Sequence, residues 1–409
     1  MLMKAGSDTL RTHNRALVLS TMRQLGPVSH TEISEWSGLS SATVSAITHE
    51  LEQQKIIIRQ EQKPSSGRGR PRVAFVQNAE CAFIATVRIL YDAVEYSLVD
   101  YSGTLKDRFE IKRNFVSDSR DHFIDHFVQG LDRLAERSDL ARDQILTISI
   151  TSKGLVSRGT PVLLWSPVFA DERIDFEEIL RPYWKALITL KNETRFAARA
   201  VAEKSRKNEM RHHYGDHATL SLDHSIGLGI AGADGAGKVR SFAPPFGHMV
   251  HDPDGPKCRC GSKGCIESYS GFYGILRIAF EVSPDAIPAK FIPFEEMEKI
   301  AQQAREGDRM AGYAFRQAGD VIGMGLSRLH SFLGTMPITI TGPGANFLDL
   351  MLPSMEVHIK NNLQVRFENM PALTVEMNEA GLIYEGNVQA SLGELDVNVI
   401  AKRKLQESE

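Results

Sequence analysis

Apolar positions over the first eighty residues recur every three or four places, then give way to short alternating runs, and this switch divides the chain into two kinds of structure. Leu10, Ala16, Leu17, Leu19, Met22 and Leu25 predict a helix from Thr9 to about Leu25, closed by Gly26-Pro27. The spacing then predicts a short helix over Thr31–Trp36, a turn at Gly38 and a second helix from Ser41 to about Gln54, with Ser40 placed to cap it. Ile33, Leu39, Val44, Ile47 and Leu51 supply a shared apolar set, and Gly38 suits the tight corner of a helix-turn-helix. Ile56-Ile57-Ile58 reads as a strand, Pro64-Ser65-Ser66-Gly67-Arg68-Gly69-Arg70-Pro71-Arg72 as a turn-rich loop, and Val73–Val76 as a returning strand. Together they make a β-wing.

Beyond residue 80 the pattern predicts mixed strands and helices. Phe83–Val87 and Val94–Val99 bracket a hairpin, Arg120–Arg137 reads as a helix, and Ile145–Thr151 as a buried strand entering a turn at Lys153-Gly154. Leu187–Leu190 is a strand leading through Asn192-Glu193-Thr194-Arg195 into a helix at Phe196–Lys204. Glycine-rich Ile226–Gly232 opens a second half, with helices near 294–305 and 308–332 and a strand, Ile338-Thr339-Ile340, meeting the glycine turn Thr341–Ala345. The alternation predicts an α/β body of two lobes, not a bundle. The last twenty residues are expected either to form a helix on the first lobe or to fray.

Composition changes this picture little: 409 residues with 42% hydrophobic and 24% charged can build two or three ordinary cores. No apolar run approaches a membrane span, and MLMKAGSDTL holds no signal-peptide core, so the expected location is the cytoplasm. Charge matters more. The chain is −3 overall, which excludes a globally basic coat, yet Lys55, Arg59, Lys63, Arg68, Arg70 and Arg72 face only Glu61 over 55–72. A local basic wing beside a helix-turn-helix predicts contact with double-stranded DNA. The exposed start of the second helix offers Ser41, Thr43, Val44, Ser45 and Thr48 to a major groove, while Arg68, Arg70 and Arg72 reach phosphates or a minor groove. One such module is small, so a homodimer or tetramer on an inverted-repeat operator is expected.

Three of the four cysteines fall within Cys258-Arg259-Cys260-Gly261-Ser262-Lys263-Gly264-Cys265, and His248 stands ten positions before the first. One imidazole and three thiolates match a structural zinc ion, one per chain, and leave no open position for a catalytic water. His251 is the rival nitrogen ligand. Glycine turns after strands could cradle a phosphate, but no Gly-Lys-Ser/Thr follows either of them.

Taken together, the residues resemble the ROK family of sugar kinases and sugar-responsive repressors. The most specific part is Gly247-His248, Asp252-Pro253-Asp254-Gly255-Pro256, Cys258, Cys260-Gly261 and Gly264-Cys265-Ile266-Glu267. The resemblance implies an actin-like, ribonuclease H-like pair of lobes with a cleft between them, a zinc loop beside that cleft, and an N-terminal winged helix of the regulator class. The division it suggests is 1–80 for the winged helix, 81–193 for the first lobe with 385–409 packing back on it, and 194–384 for the second lobe.

The departures from the family pattern bear on function. The kinases bind ATP phosphates through Asp-x-Gly-x-Thr, and here Arg88, Leu90 and Asp92 stand near those positions. The family's Asn-Asp pair, whose Asp is the base, reads Asn192-Glu193, and Gly-Glu-x-Gly-His reads Pro244-Pro245-Phe246-Gly247-His248. An extra methylene moves the base, and proline supplies no acceptor for a sugar hydroxyl. The chain is therefore expected to be no enzyme but a transcriptional regulator, a repressor by class. A carbohydrate-like effector would meet Asn192, Glu193 and Glu267 in the cleft. An ATP-dependent sugar kinase with an added DNA module, or a regulator controlled by a protein partner, are the alternatives.

Overall fold

Three helices and a hairpin form at the N-terminus in the order the apolar spacing predicts: α1 (Ser7–Leu25), α2 (His30–Ser37), α3 (Ser41–Gln53), β1 (Ile57–Glu61) and β2 (Val73–Gln77). The computed structural model describes residues 7–61, 73–113, 119–169, 173–208, 216–233 and 239–402. Ser29 and Glu32 close a capping box on α2, Gly38 ends it at φ 71°, and Ser40 accepts from the Thr43 amide to start α3. β1 and β2 pair antiparallel, Ile57 opposite Gln77.

The first lobe holds β3 (Phe83–Ile89), β4 (Ala93–Asp100), β5 (Leu105–Lys112), α4 (Arg120–Arg137) and β6 (Ile145–Ser152). A small sheet of β7 (Leu155–Val156), β8 (Val162–Trp165) and β9 (Ile174–Asp175) follows, then α5 (Phe176–Leu180) and β10 (Leu187–Asn192). From β10, α6 (Glu193–Asn208) crosses to the second lobe, where β11 (His217–Leu222), β12 (Ile226–Ala233) and β13 (Val239–Phe242) precede the cysteine loop. Then come α7 (Ile266–Ser270), α8 (Phe272–Ala279), α9 (Phe294–Arg305), α10 (Arg309–Leu333), β14 (Ile338–Thr341), α11 (Leu348–Lys360), α12 (Leu363–Glu368), β15 (Leu373–Val375) and α13 (Glu379–Asn398).

The two large sheets share one plan. The first runs β10-β6-β3-β4-β5 and the second β15-β14-β11-β12-β13. In each, three antiparallel strands are followed by two strands parallel to the first. Each sheet packs its own apolar core, Val87, Ile148 and Trp184 in the first lobe and Leu220, Phe315 and Ile340 in the second. No helix among the described residues is long and apolar enough to cross a membrane.

Helix α13 is where the modules meet. It returns from the second lobe to pack on α6, β6, β3 and α1. Val388, Leu392 and Leu395 join Leu19, Met22 and Leu51 of the winged helix and Val99 and Tyr101 of the first lobe in one continuous apolar cluster. A polar pin crosses it: buried Asp396 takes hydrogen bonds from Arg23 Nε at 3.1 Å and Nη2 at 3.0 Å, and from the Tyr101 hydroxyl. Residues 403–409 lie outside the described set.

Candidate functional site

On α3, Ser41 and Ser45 are exposed and Thr43 half-buried, whereas Val44 and Thr48 are 0% and 1% exposed. These last two are corrections to the expected DNA-facing set. With Ile47 and Leu51 they fall on one helical stripe and turn into the module's core. Thr48 donates to the Val44 carbonyl at 2.9 Å and meets His30 Nε2 at 2.7 Å, so it braces α2 against α3. Arg68, Arg70 and Arg72 lie outside the described residues.

The cysteine loop is a compact turn held by its own backbone. Val250 bridges Cys265, Lys257 bridges Lys263, and the Cys258 amide donates to the Ser262 carbonyl at 2.9 Å. Gly264 turns there at φ 63°, with the Asp252 carbonyl occupying the space of any Cβ. One ligand atom each from His248, Cys258, Cys260 and Cys265 lies within 4.8 Å of the others, a group that could hold a metal ion. Cys258 Sγ is 3.6 Å from His248 Nδ1, and Cys260 Sγ is 3.7 Å from Cys265 Sγ. His251 is outside this group and packs edge-on against Tyr269. Trp165 of the first lobe meets the His248 ring edge-on at 5.0 Å, so the loop is braced from across the cleft.

A cleft of about 530 Å³ opens between the ends of β6 and β10, the small sheet of the first lobe, and Ser221–Leu228 with Phe242–His248 of the second. All three expected ligand residues line it, in different states. Asn192 is structurally committed: its Nδ2 donates to the Gly154 carbonyl at 2.8 Å, and its Oδ1 accepts from the Thr194 amide at 3.0 Å. Glu267 is fully buried, taking Arg259 Nη2 at 3.1 Å, Tyr273 OH at 3.4 Å and the Ile226 amide at 3.3 Å. Glu193 accepts from Arg88 Nε at 3.2 Å through one oxygen, while Oε1 has Lys153 Nζ 3.7 Å away and makes no hydrogen bond among the described residues.

Sequence reasoning missed the hub of this floor. Lys153, at the turn after β6, pairs with Asp223 after β11 and faces Glu193 at the start of α6. Burial would pull the Lys153 pKa down, but Asp223, Glu193 and Glu379 outweigh it and raise it. Asp223 is held well below its ordinary value near 3.8, since Lys153 and the His224 hydrogen bond at 2.7 Å outweigh its burial. Burial raises Glu379, which accepts from Ser221 at the head of α13. Arg259, between two cysteines, spans the lobes: Nη1 donates to Tyr91 OH at 3.0 Å and Nη2 to the His224 carbonyl at 2.6 Å. A charged residue just past the carboxyl end of a central strand was the available signal for Lys153, because open α/β sheets place their sites there.

A winged helix fused to a body of two like-ordered lobes, with a four-ligand loop at the interlobe cleft, defines a class that joins a DNA-binding fold to a sugar-kinase-like frame. The chain belongs to the ROK family, whose sequence model matches residues 86–386. The MarR family model matches residues 12–69. The DNA-binding transcriptional repressor Mlc of Escherichia coli (strain K12) is 23% identical over 360 residues, 86% of each chain. A xylose repressor of Caldicellulosiruptor bescii is 22% identical over 397 residues, 92% of this chain and 95% of the relative. Among solved structures, a ROK family transcriptional regulator described as a homolog of E. coli MLC protein superposes with a TM-score of 0.74 at 20% identity, covering 96% of this chain and 98% of that one. A ROK family glucokinase from Streptomyces griseus shares the fold of the body, with a TM-score of 0.54 at 20% identity over 76% of this chain and 99% of its own.

Proposed function

We propose that the chain is a sequence-specific DNA-binding transcriptional repressor, working in the cytoplasm as a homodimer or tetramer, whose DNA affinity is set by a carbohydrate-like effector in the interlobe cleft. The observation that carries this reading is α13, whose two ends serve two sites. Its head places Glu379 in the charged floor of the cleft, and its tail places Asp396 on Arg23 of α1. A helix of 20 residues spans roughly 30 Å, so a shift at the cleft moves the winged helix as a lever.

DNA contact falls to Ser41, Thr43 and Ser45 at the start of α3 and to Arg68, Arg70 and Arg72 of the wing. Selection of genomic fragments by the full chain should enrich one inverted repeat. Arg70→Ala should weaken binding to every sequence and flatten the salt dependence by about one unit of slope. Thr43→Ala should instead change preference among sequences. Equal losses on all fragments from both would overturn that division of labour.

The cysteine loop, in this reading, holds one structural zinc ion. A tetrahedron with zinc–sulfur bonds near 2.3 Å has sulfur–sulfur edges of roughly 3.8 Å, and the 3.7 Å between Cys260 and Cys265 fits it. Bound zinc supplies structural cross-linking here, with all four ligands drawn from the protein. Sugar phosphorylation is not part of this function, because Glu193, at the position of the family's base, is held by Arg88 and faced by Lys153. Sugar-dependent ADP release should accordingly stay at background.

The lever has its own test. Asp396→Asn removes the charge that Arg23 and Tyr101 share, which weakens the pin by about 2 kcal/mol. Hydrogen exchange of the α1 amides should rise roughly thirtyfold, while that of the second lobe stays as in the parent. Unchanged protection of α1 would mean that the apolar cluster alone seats the module.

A further inference from the structure

The cleft's own charges specify what it holds, on the reading that it is the effector site. Two carboxylates line it, Glu193 and Glu267, against Lys153, Arg158, Lys191 and Arg195. Neutral sugars are gripped chiefly by acceptors that take hydroxyl protons, and here most of that capacity is spent inside the protein. Both oxygens of Glu267 are engaged by Arg259, Tyr273 and the Ile226 amide, and one oxygen of Glu193 by Arg88. Lys153 is taken up by Asp223. Pro244 and Pro245 line the wall without an acceptor side chain.

The surplus is cationic. Arg158, Lys191 and Arg195 line the cleft with no ion pair within 4.0 Å among the described residues. Arg158 is exposed at the mouth, and Lys191 and Arg195 are half-buried. Burial lowers the pKa of Lys191 and of Arg195, and Glu394 of α13 is the carboxylate that offsets it for both. Two buried polar atoms also lack a partner among the described residues, Glu193 Oε1 and the Ser225 hydroxyl. Both residues line the same space.

We infer that the effector is an anionic carbohydrate, a sugar bearing a phosphate or a carboxylate, whose hydroxyl meets Glu193 Oε1 and whose anion is held by Lys191, Arg195 and Arg158. The cleft's volume of about 530 Å³ accommodates a ligand of that size. Charge-assisted hydrogen bonds from arginine to phosphate or carboxylate are the strong kind, and the half-buried Lys191 and Arg195 are screened less than exposed charges.

Calorimetric titration of the full chain with glucose, glucose 6-phosphate and glucuronate, and with the matching N-acetylglucosamine and mannose series, tests this. At least one phosphate or uronate should bind tenfold or more tightly than its neutral parent, and which arm responds identifies the source of the anion. Lys191→Gln combined with Arg195→Gln should remove that advantage, about tenfold, as expected for lost charged hydrogen bonds. Neutral parents binding as well as their anionic derivatives would overturn the inference. So would a loss in the double variant shared equally by both classes, or no anionic sugar binding below about 1 mM. DNA affinity followed in parallel separates the two claims. Release by a neutral sugar sinks the anion and keeps the repressor, whereas anion binding without any effect on DNA does the reverse.

Discussion

Cys260→Ser is expected to empty the loop of its metal and to slacken the interlobe cleft in the same step. A hydroxyl is a poor substitute for a thiolate on zinc, and structural zinc contributes free energy of order 10 kcal/mol to the segment that binds it. Backbone bridges and a glycine at φ 63° set the turn, and the convergence of the four ligand side chains adds the cross-link that the substitution removes. Arg259 lies between Cys258 and Cys260, so its reach to Tyr91 of the first lobe and to Glu267 depends on the loop's geometry. His248, braced by Trp165, would lose the same anchor. Elemental analysis should fall from one zinc per chain to near zero. Hydrogen exchange should rise over 247–267 and in the β3–β4 turn that carries Tyr91. Effector response should be blunted while DNA binding persists, since the apolar core of α1–α3 is built with α13 and the first lobe and includes no residue of the loop. Parent protein purified without chelator and carrying almost no metal would sink the assignment.

What could be read from the sequence was local. The winged helix declared itself because its helices are short, capped and amphipathic, with Ser40, Gly38 and the Val44–Ile47–Leu51 stripe all within a few turns. The group that could hold a metal ion was legible because its four residues span only His248 to Cys265. The same stripe contained the error on α3. Val44 and Thr48 stand at i and i+4 with Ile47 between them, which is a core face and not a groove face. The closing helix was expected only as one of two alternatives for the last twenty residues, and it begins earlier, at Glu379. Helix α13 packs on several elements and buries polar Glu379, Asn387, Ser391 and Asp396 among its apolar residues, so it shows no single apolar stripe.

The cleft was the hardest part, because its chemistry is assembled from far apart. Lys153 and Asp223 are 70 positions apart, and Ser221 and Glu379 are 158 apart. Family resemblance located Asn192, Glu193 and Glu267, but it could not tell that Asn192 serves as a turn brace and Glu267 as a buried anchor. Those roles depend on partners that only the folded chain brings together. The shared strand order of the two lobes was likewise invisible, since topology and not sequence repeats it.

Lys153→Met is expected to be among the most damaging single changes in the body, although it keeps most of the side chain's volume. It removes the ammonium that Asp223 pairs with and that Glu193 and Glu379 feel, leaving Asp223 with only its His224 contact and Glu193 with only Arg88, among the described residues, in a buried site. Breaking a buried pair from one side costs about 3–5 kcal/mol, more than a surface pair would by several fold. Urea unfolding of the variant should register that loss at neutral pH. Acid should then separate charge from packing. In the parent, the Asp223 carboxyl sits below its ordinary value near 3.8, so its contribution is present above that value and is lost as the pH falls beneath it. Without Lys153 the carboxyl rises, protonates earlier and relieves the strain, so the gap between variant and parent should narrow in acid. A gap that stayed constant down to pH 4 would assign the loss to packing. No gap at neutral pH would mean that water or a relaxed Arg88 replaces the ammonium.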